Sequence, residues 1–473
     1  MLSVSLATIF PKYHNKLIMR LLHLLLISII TIPCYAQNHE TTIRAVFDEA
    51  LENGDSYSML EDLCLNIGHR LSGSPQAALA VEWSKRKMID YGFDTVFLQP
   101  VMVPHWIRGK EEKAKILNAK TIGSKEVNVI ALGNSIGTGE NGITGKLLEI
   151  KEISDLEKIG KKNIEGKIVY FSRPFDQKHI RTFKAYGGAV DQRVFGPSEA
   201  AKYGAIGVVV RSMSSIQDDV PHTGTLRYKE EYPKIPAVAI STNDGDLLSK
   251  LLIDDKDLDF YFETHCEMLP DVLSHNVIGE IKGTEKPNEY IIVGGHLDSW
   301  DVGHGAHDDG AGCVQSIEAL RIIKSLEIKP KHSIRAVMFM NEENGLRGGI
   351  KYAELALENN EKHVAAIESD AGGFSPKGFS YSGTESQIEK LNSYKNYFEP
   401  YYMFNFSSPG GGADIGALKN QGAAVIGLSP DSQRYFDLHH TTSDTFDKVN
   451  KRELELGAAA MASLIYLIDN EGF

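Results

Sequence analysis

The sequence predicts an α/β protein in which helices cover both faces of a mostly parallel central sheet. Three observations support this fold class. Helix-like and strand-like segments alternate up to about residue 111 and again from about residue 273. Residues 335–340 form a nearly continuous apolar run, as expected for a strand buried on both faces of a sheet. Strand-like runs dominate between residues 112 and 272, which indicates an inserted β-rich domain.

The elements before the insertion follow from their periodicity. Residues 40–70 are expected to be helical, because residues 41–51 carry an apolar stripe near the helical period. The break at Gly73 to Pro75 ends this region, and residues 77–91 predict a second helix that ends at Gly92. Residues 95–101 alternate as in a strand.

The inserted region consists of short apolar runs separated by glycine-containing turns. Strands are predicted at residues 127–132, 146–150, 167–171, 204–210 and 235–241, and helices at 198–203 and 244–252.

The α/β pattern returns after the insertion and continues to the end of the chain. Strands are predicted at residues 276–281, 290–295, 335–340, 363–368 and 423–428, and helices at 313–325, 345–358 and 454–468.

The composition is that of a folded protein with little affinity for nucleic acid. The chain has 473 residues, of which 42% are hydrophobic, so it can bury a large core. Its formal charge is −13, and no cluster of Lys and Arg is present to contact phosphates. We therefore expect a folded protein that does not bind nucleic acid.

The first 36 residues have the features of a secretory signal peptide. Lys16 and Arg20 precede a short apolar run, and Ala36 offers a cleavage point, with Met19 as an alternative start. A membrane anchor is the alternative, but the apolar run is shorter than the roughly 20 residues of a spanning helix. Removal of residues 1–36 would leave three cysteines, too few for a disulfide framework. The mature protein is therefore expected to be secreted or periplasmic, without a membrane span.

Polar residues gather where the predicted strands end, which is the edge where ligands bind in open α/β sheets. Five clusters of carboxylates and imidazoles lie there, at residues 294–301, 305–310, 341–345, 368–373 and 435–445. A single carboxylate at a strand end commonly caps the next helix. So many carboxylates at one edge are costly unless cations neutralise them. Imidazole with carboxylate suits zinc, and the set is too large for one ion, so we expect two zinc ions that share a bridging carboxylate.

These motifs resemble the di-zinc exopeptidase (aminopeptidase) family, most closely its carboxypeptidase Q-type members. The matching segments are residues 294–303, 308–310, 342–343, 368–372, 439–440 and 444–445, and in the insertion 221–224 and 234–236. The resemblance covers essentially the whole mature chain. It implies a zinc exopeptidase fold of the phosphorylase/hydrolase-like type, with a catalytic domain at 37–111 and 273–473. Residues 112–272 would be a protease-associated domain.

The resemblance also implies a role for individual residues. His296 and Asp370 would bind one zinc, Glu343 and His440 the other, and Asp308 would bridge the two. Glu342 would be the general base that takes a proton from the attacking water. Asp298 would orient the imidazole of His296. Members of this family often have a cis peptide bond after the bridging residue, so we look for one between Asp308 and Asp309.

Three assignments near the site stay open at this level. The ligand of the family directly precedes a small polar residue, which favours His440 over His439, and His439 is expected to pack nearby. Asp414 follows a glycine-rich loop and either meets a free amino terminus or caps the next helix. Simpler members carry an oxyanion-donating tyrosine where this chain has glycine, so Tyr435 is only a candidate donor.

The function implied is hydrolysis of dipeptides or short peptides with a free amino terminus by an exported di-zinc enzyme. The family resemblance also implies a homodimer. Two alternatives are a catalytically silent receptor or binding protein on the same fold, and a glutaminyl cyclase-like acyl transfer with one zinc. The complete ligand set and Glu342 argue against both alternatives.

Overall fold

The computed structural model describes residues 39–473, apart from the side chains of residues 407 and 408. The signal peptide expected at residues 1–36 lies outside the described residues. Among residues 39–473, no helix is both long enough and apolar enough to cross a lipid bilayer.

The catalytic sheet expected from the sequence is the first of two eight-stranded sheets. Its strand order is β1-β10-β12-β11-β13-β16-β14-β15, and the four central strands from β12 to β16 run parallel. The remaining pairs are antiparallel except β14 with β15. The strands are β1 (Thr95–Ile107), β10 (Glu267–Ile281), β11 (Lys286–His296), β12 (His332–Phe339), β13 (Lys362–Glu368), β14 (Pro376–Ser382), β15 (Asn405–Pro409) and β16 (Ala424–Pro430).

Helices cover both faces of this sheet, which confirms the predicted fold class. Alternate residues of a strand enter different apolar clusters, as Ile291 and Val293 pack on one face and Ile292 on the other. These helices are α1 (His39–Asn53), α2 (Ser56–Asp62), α3 (Pro75–Asp90), α10 (Ala311–Ser325), α11 (Arg347–Glu358), α12 (Glu385–Ser393), α13 (Lys395–Phe398), α14 (Tyr435–Leu438) and α15 (Lys451–Glu471).

The helix expected over residues 40–70 is interrupted. Gly54 lies against the carbonyl of Ala50 and the carboxylate of Glu455, and a Cβ atom there would meet both at 2.4 Å or less. Helix α1 therefore ends at Asn53 and the chain turns before α2. Helix α3 begins at Pro75, two residues before the predicted start, because the Ser74 hydroxyl accepts from the Ala77 N–H and proline is favoured in the first turn.

The second sheet is built from residues between β1 and β10. Its order is β3-β2-β9-β5-β6-β7-β8-β4, and strands β5 to β8 are parallel. The strands are β2 (Lys113–Ala119), β3 (Gly123–Val127), β4 (Val129–Ala131), β5 (Ile143–Ile150), β6 (Ile168–Phe171), β7 (Gly207–Arg211), β8 (Ala237–Ile240) and β9 (Asp259–Glu263). Its helices are α4 (Asp155–Ile159), α5 (Lys161–Ile164), α6 (Thr182–Gly187), α7 (Asp191–Val194), α8 (Gly196–Lys202) and α9 (Thr242–Asp254).

Register brings the ends of the central strands to one edge of the first sheet. His296, the last residue of β11, pairs with Phe339, the last residue of β12. Glu368, the last residue of β13, lies beside Gly294 on one side and Gly427 on the other. The polar segments that follow these strands therefore begin next to one another.

Candidate metal centre

Five side chains named from the sequence as ligands meet at this edge. The two carboxylate oxygens of Asp308 face different imidazoles, with Oδ1 3.3 Å from His296 Nε2 and Oδ2 3.3 Å from His440 Nε2. Asp370 Oδ1 lies 3.6 Å from His296 Nε2, and Glu343 Oε2 lies 3.2 Å from His440 Nε2. The structure thus forms two half-sites that share Asp308. We call His296 with Asp370 the first half-site and Glu343 with His440 the second.

The donor set fits divalent metal ions. Several groups of these His and Asp/Glu ligand atoms lie within 4.8 Å of one another, and Oδ2 of Asp308 is buried without a hydrogen-bond donor among the described residues. Burial, with repulsion from Asp308, raises the pKa of Glu343 well above its usual value. Cations between the carboxylates would stabilise their charged forms and so oppose this rise in pKa. Imidazole with carboxylate is a donor set that suits zinc.

The first half-site is supported from within the catalytic sheet. His296 Nδ1 lies 2.9 Å from the backbone carbonyl of Asp298, and donation to that carbonyl leaves Nε2 free for a metal. The Asp309 carboxylate accepts from the backbone N–H groups of His296 at 3.1 Å and Gly312 at 3.0 Å. The peptide bond between Asp308 and Asp309 is cis, as the family resemblance suggested.

Asp298 acts differently from the expectation. Its nearer carboxylate oxygen lies 3.9 Å from His296 Nδ1, and the imidazole instead meets the backbone carbonyl. The carboxylate accepts from the backbone N–H groups of Asn341 at 2.7 Å, Glu342 at 3.0 Å and Glu343 at 3.4 Å. Three N–H groups of one tight loop converge on this buried acceptor. The Asp298 carboxylate therefore holds the Glu342–Glu343 loop, while the backbone carbonyl of the same residue meets the imidazole.

The second half-site is supported by the region between β7 and β8. His440 Nδ1 lies 3.3 Å from the backbone carbonyl of Thr223, and the Thr223 N–H donates to the His440 carbonyl at 3.0 Å. His222 Nδ1 lies 2.9 Å from the carbonyl of His439. Residues 221–224, which the sequence singled out only by resemblance, therefore orient His440 with Nε2 toward Asp308.

His439 packs beside the ligand, as expected. Its ring stacks on that of His440 with 3.4 Å between centroids, and its Nε2 lies 3.7 Å from Asp308 Oδ2. Rings of Tyr186 and Phe436 flank it. Burial lowers the pKa of His439 to about 3, so the imidazole is neutral.

Glu342 is half-buried and directly precedes Glu343 in the loop that the Asp298 carboxylate holds. Its pKa is raised to about 8, first by burial and also by repulsion from Asp370 and other nearby carboxylates, although the charge of His296 opposes this. A carboxylate with a raised pKa in such surroundings is suited to accept and return a proton near neutral pH.

Asp414 is not a helix cap. Both of its carboxylate oxygens are buried, and neither accepts a hydrogen bond within residues 39–473. Burial and the neighbouring carboxylates of Glu368 and Glu342 raise its pKa well above the usual value.

Tyr435 is buried beside the second half-site, with its ring 5.2 Å from that of His439 and stacked on Phe183. Burial, with repulsion from Asp308, raises the pKa of its phenol well above the usual value. The phenol therefore keeps its proton and is a donor.

Arg193 is a functional candidate that the sequence did not reveal. The residue is 95% buried, yet no carboxylate lies within ion-pair distance in the described part of the chain, and its Nε has no acceptor there. One terminal nitrogen lies 3.3 Å from the Thr223 carbonyl and 3.4 Å from His440 Nδ1. A buried guanidinium without an anionic partner points to an anionic ligand.

Arg70 and Asp444 fix the loop that carries Asp308. The fully buried Arg70 donates to the carbonyls of Leu297, His304 and Gly305 at 2.5, 2.8 and 3.0 Å. Asp444 accepts from the N–H groups of His307 and Asp308 at 2.8 and 3.1 Å. Arg70 stands alone in the sequence before a turn, and no local pattern marks it.

A cleft of about 870 Å³ opens beside the first half-site. Glu368 and Asp370 line it, while Asp414 is not part of its wall. The glycine-rich loop Gly410–Gly412 and residues 180–183 of the second sheet's region also line it. The Glu368 carboxylate accepts from the N–H groups of Ala413 and Ile415 at 2.8 and 3.1 Å, which fix its position.

Comparisons with known proteins agree with the sequence motifs. Residues 276–465 match the model of peptidase family M28. Carboxypeptidase Q of Bos taurus is 33% identical over 413 residues, covering 87% of this chain and 85% of the relative. Carboxypeptidase Q of Homo sapiens gives the same identity and coverage.

Two solved structures resemble the chain over most of its length. The Peptidase M28 precursor from Shewanella amazonensis SB2B has a TM-score of 0.86 and 34% identity, covering 91% of this chain and 97% of that one. The aminopeptidase from Aneurinibacillus sp. strain AM-1 has a TM-score of 0.61 at 22% identity, covering 90% and 95%, and shows a shared fold.

Proposed function

Because the chain belongs to peptidase family M28 and is a zinc metallopeptidase, we propose that it is an exported di-zinc exopeptidase acting on dipeptides or short peptides with a free amino terminus. The observation that carries this proposal is the pair of half-sites that share Asp308.

The residues of the chain divide the work of peptide-bond hydrolysis. His296, Asp308 and Asp370 would hold one zinc, and Asp308, Glu343 and His440 the other. When bound, two zinc ions would polarise the scissile carbonyl and lower the pKa of water. Glu342 takes the proton of the attacking water and returns it to the departing amine. Asp298 keeps Glu342 in place through the backbone of its loop.

Charge on the two sides of the centre supports a zwitterionic substrate. Arg193 lies beside His440 of the second half-site, whereas Glu368 lines the cleft together with Asp370 of the first half-site. A dipeptide that spans the centre would place its carboxylate toward Arg193 and its ammonium group toward the acids. Tyr435, a protonated donor beside the second half-site, remains the candidate oxyanion donor. Asp414 would influence the ammonium group only through Glu368, because its oxygens are buried.

The remaining parts of the proposal concern domains, location and assembly. We assign residues 37–111 and 273–473 to the catalytic domain and 112–272 to a protease-associated domain that forms a wall of the site. The contacts of Thr223 and Arg193 with His440 support the role of that wall. A signal peptide at residues 1–36 would make the protein secreted or periplasmic, and the family resemblance of the sequence motifs implies a homodimer.

The experiment is a dipeptide panel with the zinc-loaded mature protein, read by mass spectrometry. The panel includes amino-blocked and carboxyl-blocked versions of each dipeptide, and Glu342→Gln serves as the inactive control. We expect cleavage that requires the free amine, weakens when the carboxyl is blocked and disappears in the control. Absence of cleavage across the panel, with two zinc ions bound per chain, would overturn the enzymatic proposal in favour of a binding protein.

A further inference from the structure

The cleft is lined by both acidic and basic side chains. Its carboxylates are those of Glu368, Asp431 and Asp370, and Asp370 belongs to the first half-site. Its basic groups are those of Arg181, Lys377 and Lys419. In a chain with a formal charge of −13, basic groups in a cleft that lack an acidic partner favour an anionic ligand group.

Two of these cations have no carboxylate partner. The ammonium group of Lys377 lies 3.8 Å from the carboxylate of Asp431, so these two charges form an ion pair. Lys419 contacts the Ser382 hydroxyl, and neither it nor Arg181 has a carboxylate within 4 Å among residues 39–473. Both side chains are exposed, so a ligand can reach them without rearrangement of the fold.

The cleft walls also hold the basic groups at fixed places. Lys377 and Ser382 belong to β14, and Lys419 lies in the 3-10 turn Gly416–Gln421. Arg181 comes from the second sheet's region, where the Thr182 hydroxyl bonds to Ser432 and the Ile180 carbonyl accepts from Gln433. The basic side chains of the cleft therefore come from the regions of both sheets.

We propose that this cleft receives the side chain of the substrate's amino-terminal residue and selects an acidic one, with Lys419 and Arg181 as specificity-determining residues. The inference rests on the proposed function, because an ammonium group held beside Glu368 places the first side chain of the substrate in the same cleft as Lys419 and Arg181. A carboxylate on that side chain can pair with these two cations, whereas an amide or an apolar side chain cannot.

The test compares kcat/KM for Glu-Ala, Asp-Ala, Gln-Ala and Leu-Ala on the zinc-loaded protein. Because exposed ion pairs contribute up to about 1 kcal/mol each, the expected preference for Glu-Ala over Gln-Ala is about three- to tenfold. The Arg181→Ala/Lys419→Ala double variant should bring this ratio close to one, and Lys419→Glu should invert it. Lys395→Ala removes an exposed lysine outside the cleft and should keep the ratio of the parent.

A binding measurement separates this inference from the proposed function. Calorimetry of L-glutamate and L-glutamine with the parent and the double variant reports side-chain selection without any turnover. Tighter binding of glutamate that the double variant loses supports the inference even if no dipeptide is cleaved. Cleavage of Gln-Ala and Leu-Ala with no preference for Glu-Ala, or a preference that survives in the double variant, overturns it and leaves the proposed function standing.

Discussion

The two halves of the metal centre are held in place by different parts of the chain. The first half-site, with His296 and Asp370, is oriented by the Asp298 carbonyl and by Asp309, all within the catalytic sheet and its loops. The second half-site, with Glu343 and His440, depends on Thr223 and His222, which come from the region between β7 and β8.

This difference suggests that the inserted region does more than form a wall. An imidazole binds a metal through Nε2 only when Nδ1 has its own acceptor, and for His440 that acceptor lies 217 positions away in the chain. Metal binding at the first half-site should therefore be insensitive to substitutions in the inserted region, whereas metal binding at the second half-site should weaken.

Glu342 belongs to neither half-site, so its removal should separate activity from metal binding. In Glu342→Gln we expect kcat for the best dipeptide to fall by about 10²- to 10⁴-fold, the usual contribution of a general base. Zinc content, measured by inductively coupled plasma mass spectrometry, should stay at the parent value. Loss of zinc together with activity would show that Glu342 is a ligand, and the division of roles with Glu343 would be wrong.

Arg193 tests whether the inserted region also contacts substrate. In Arg193→Met we expect KM for a dipeptide with a free carboxylate to rise at least about 30-fold, since losing one partner of a buried charge pair costs about 2 kcal/mol or more. KM for the same dipeptide as its amide should change little. An equal rise for both substrates would indicate that Arg193 only supports His440.

His222 tests the second half-site through its neighbour. His222→Phe removes the donor to the His439 carbonyl, and we expect about tenfold weaker zinc binding in one of two steps, in the range seen when groups behind a metal ligand are changed. A competition titration with a fluorescent chelator resolves the steps. His265→Phe, a change in the same region away from the centre, is the matched control. Weakening of both steps would contradict the division between the half-sites.

Asp298 separates two ways of supporting the centre. Asp298→Asn keeps the backbone carbonyl that accepts from His296 but weakens an acceptor of three N–H groups in the Glu342–Glu343 loop. We expect kcat to fall roughly fivefold, the value of about 1 kcal/mol in hydrogen bonding. Zinc binding at the first half-site should be unchanged in the same chelator titration. Selective loss of that site would mean that the Asp298 carboxylate orients His296 after all.

The first half-site could be predicted from the sequence because strand ends bring its parts together. The strand before His296 and the strand before Asp370 are apolar runs, and parallel packing places their ends side by side. The support from Thr223 and Arg193 has no such signal, because no local pattern reports a contact between residues so distant in the chain. Strands β14 and β15 were missed for a related reason. Their residues are of mixed polarity, and they are defined by pairing, of β14 with β16 and of β15 with β14.

The role of Asp298 shows the same limit at shorter range. Its spacing from His296 suggested a carboxylate behind an imidazole, and the structure uses the carbonyl of that same residue instead. The spacing in the sequence correctly placed Asp298 near His296. The direction of its side chain, however, depends on the loop after β12, because three N–H groups of that loop converge on the carboxylate.

The central claim is that Asp308 joins two metal positions. Anomalous diffraction at the zinc edge from crystals of the zinc-loaded protein tests it directly. The account predicts two peaks about 3.5–4 Å apart, each within bonding distance of a different carboxylate oxygen of Asp308, with His296 beside one peak and His440 beside the other. A single peak at full activity, or two peaks that do not share Asp308, would contradict it.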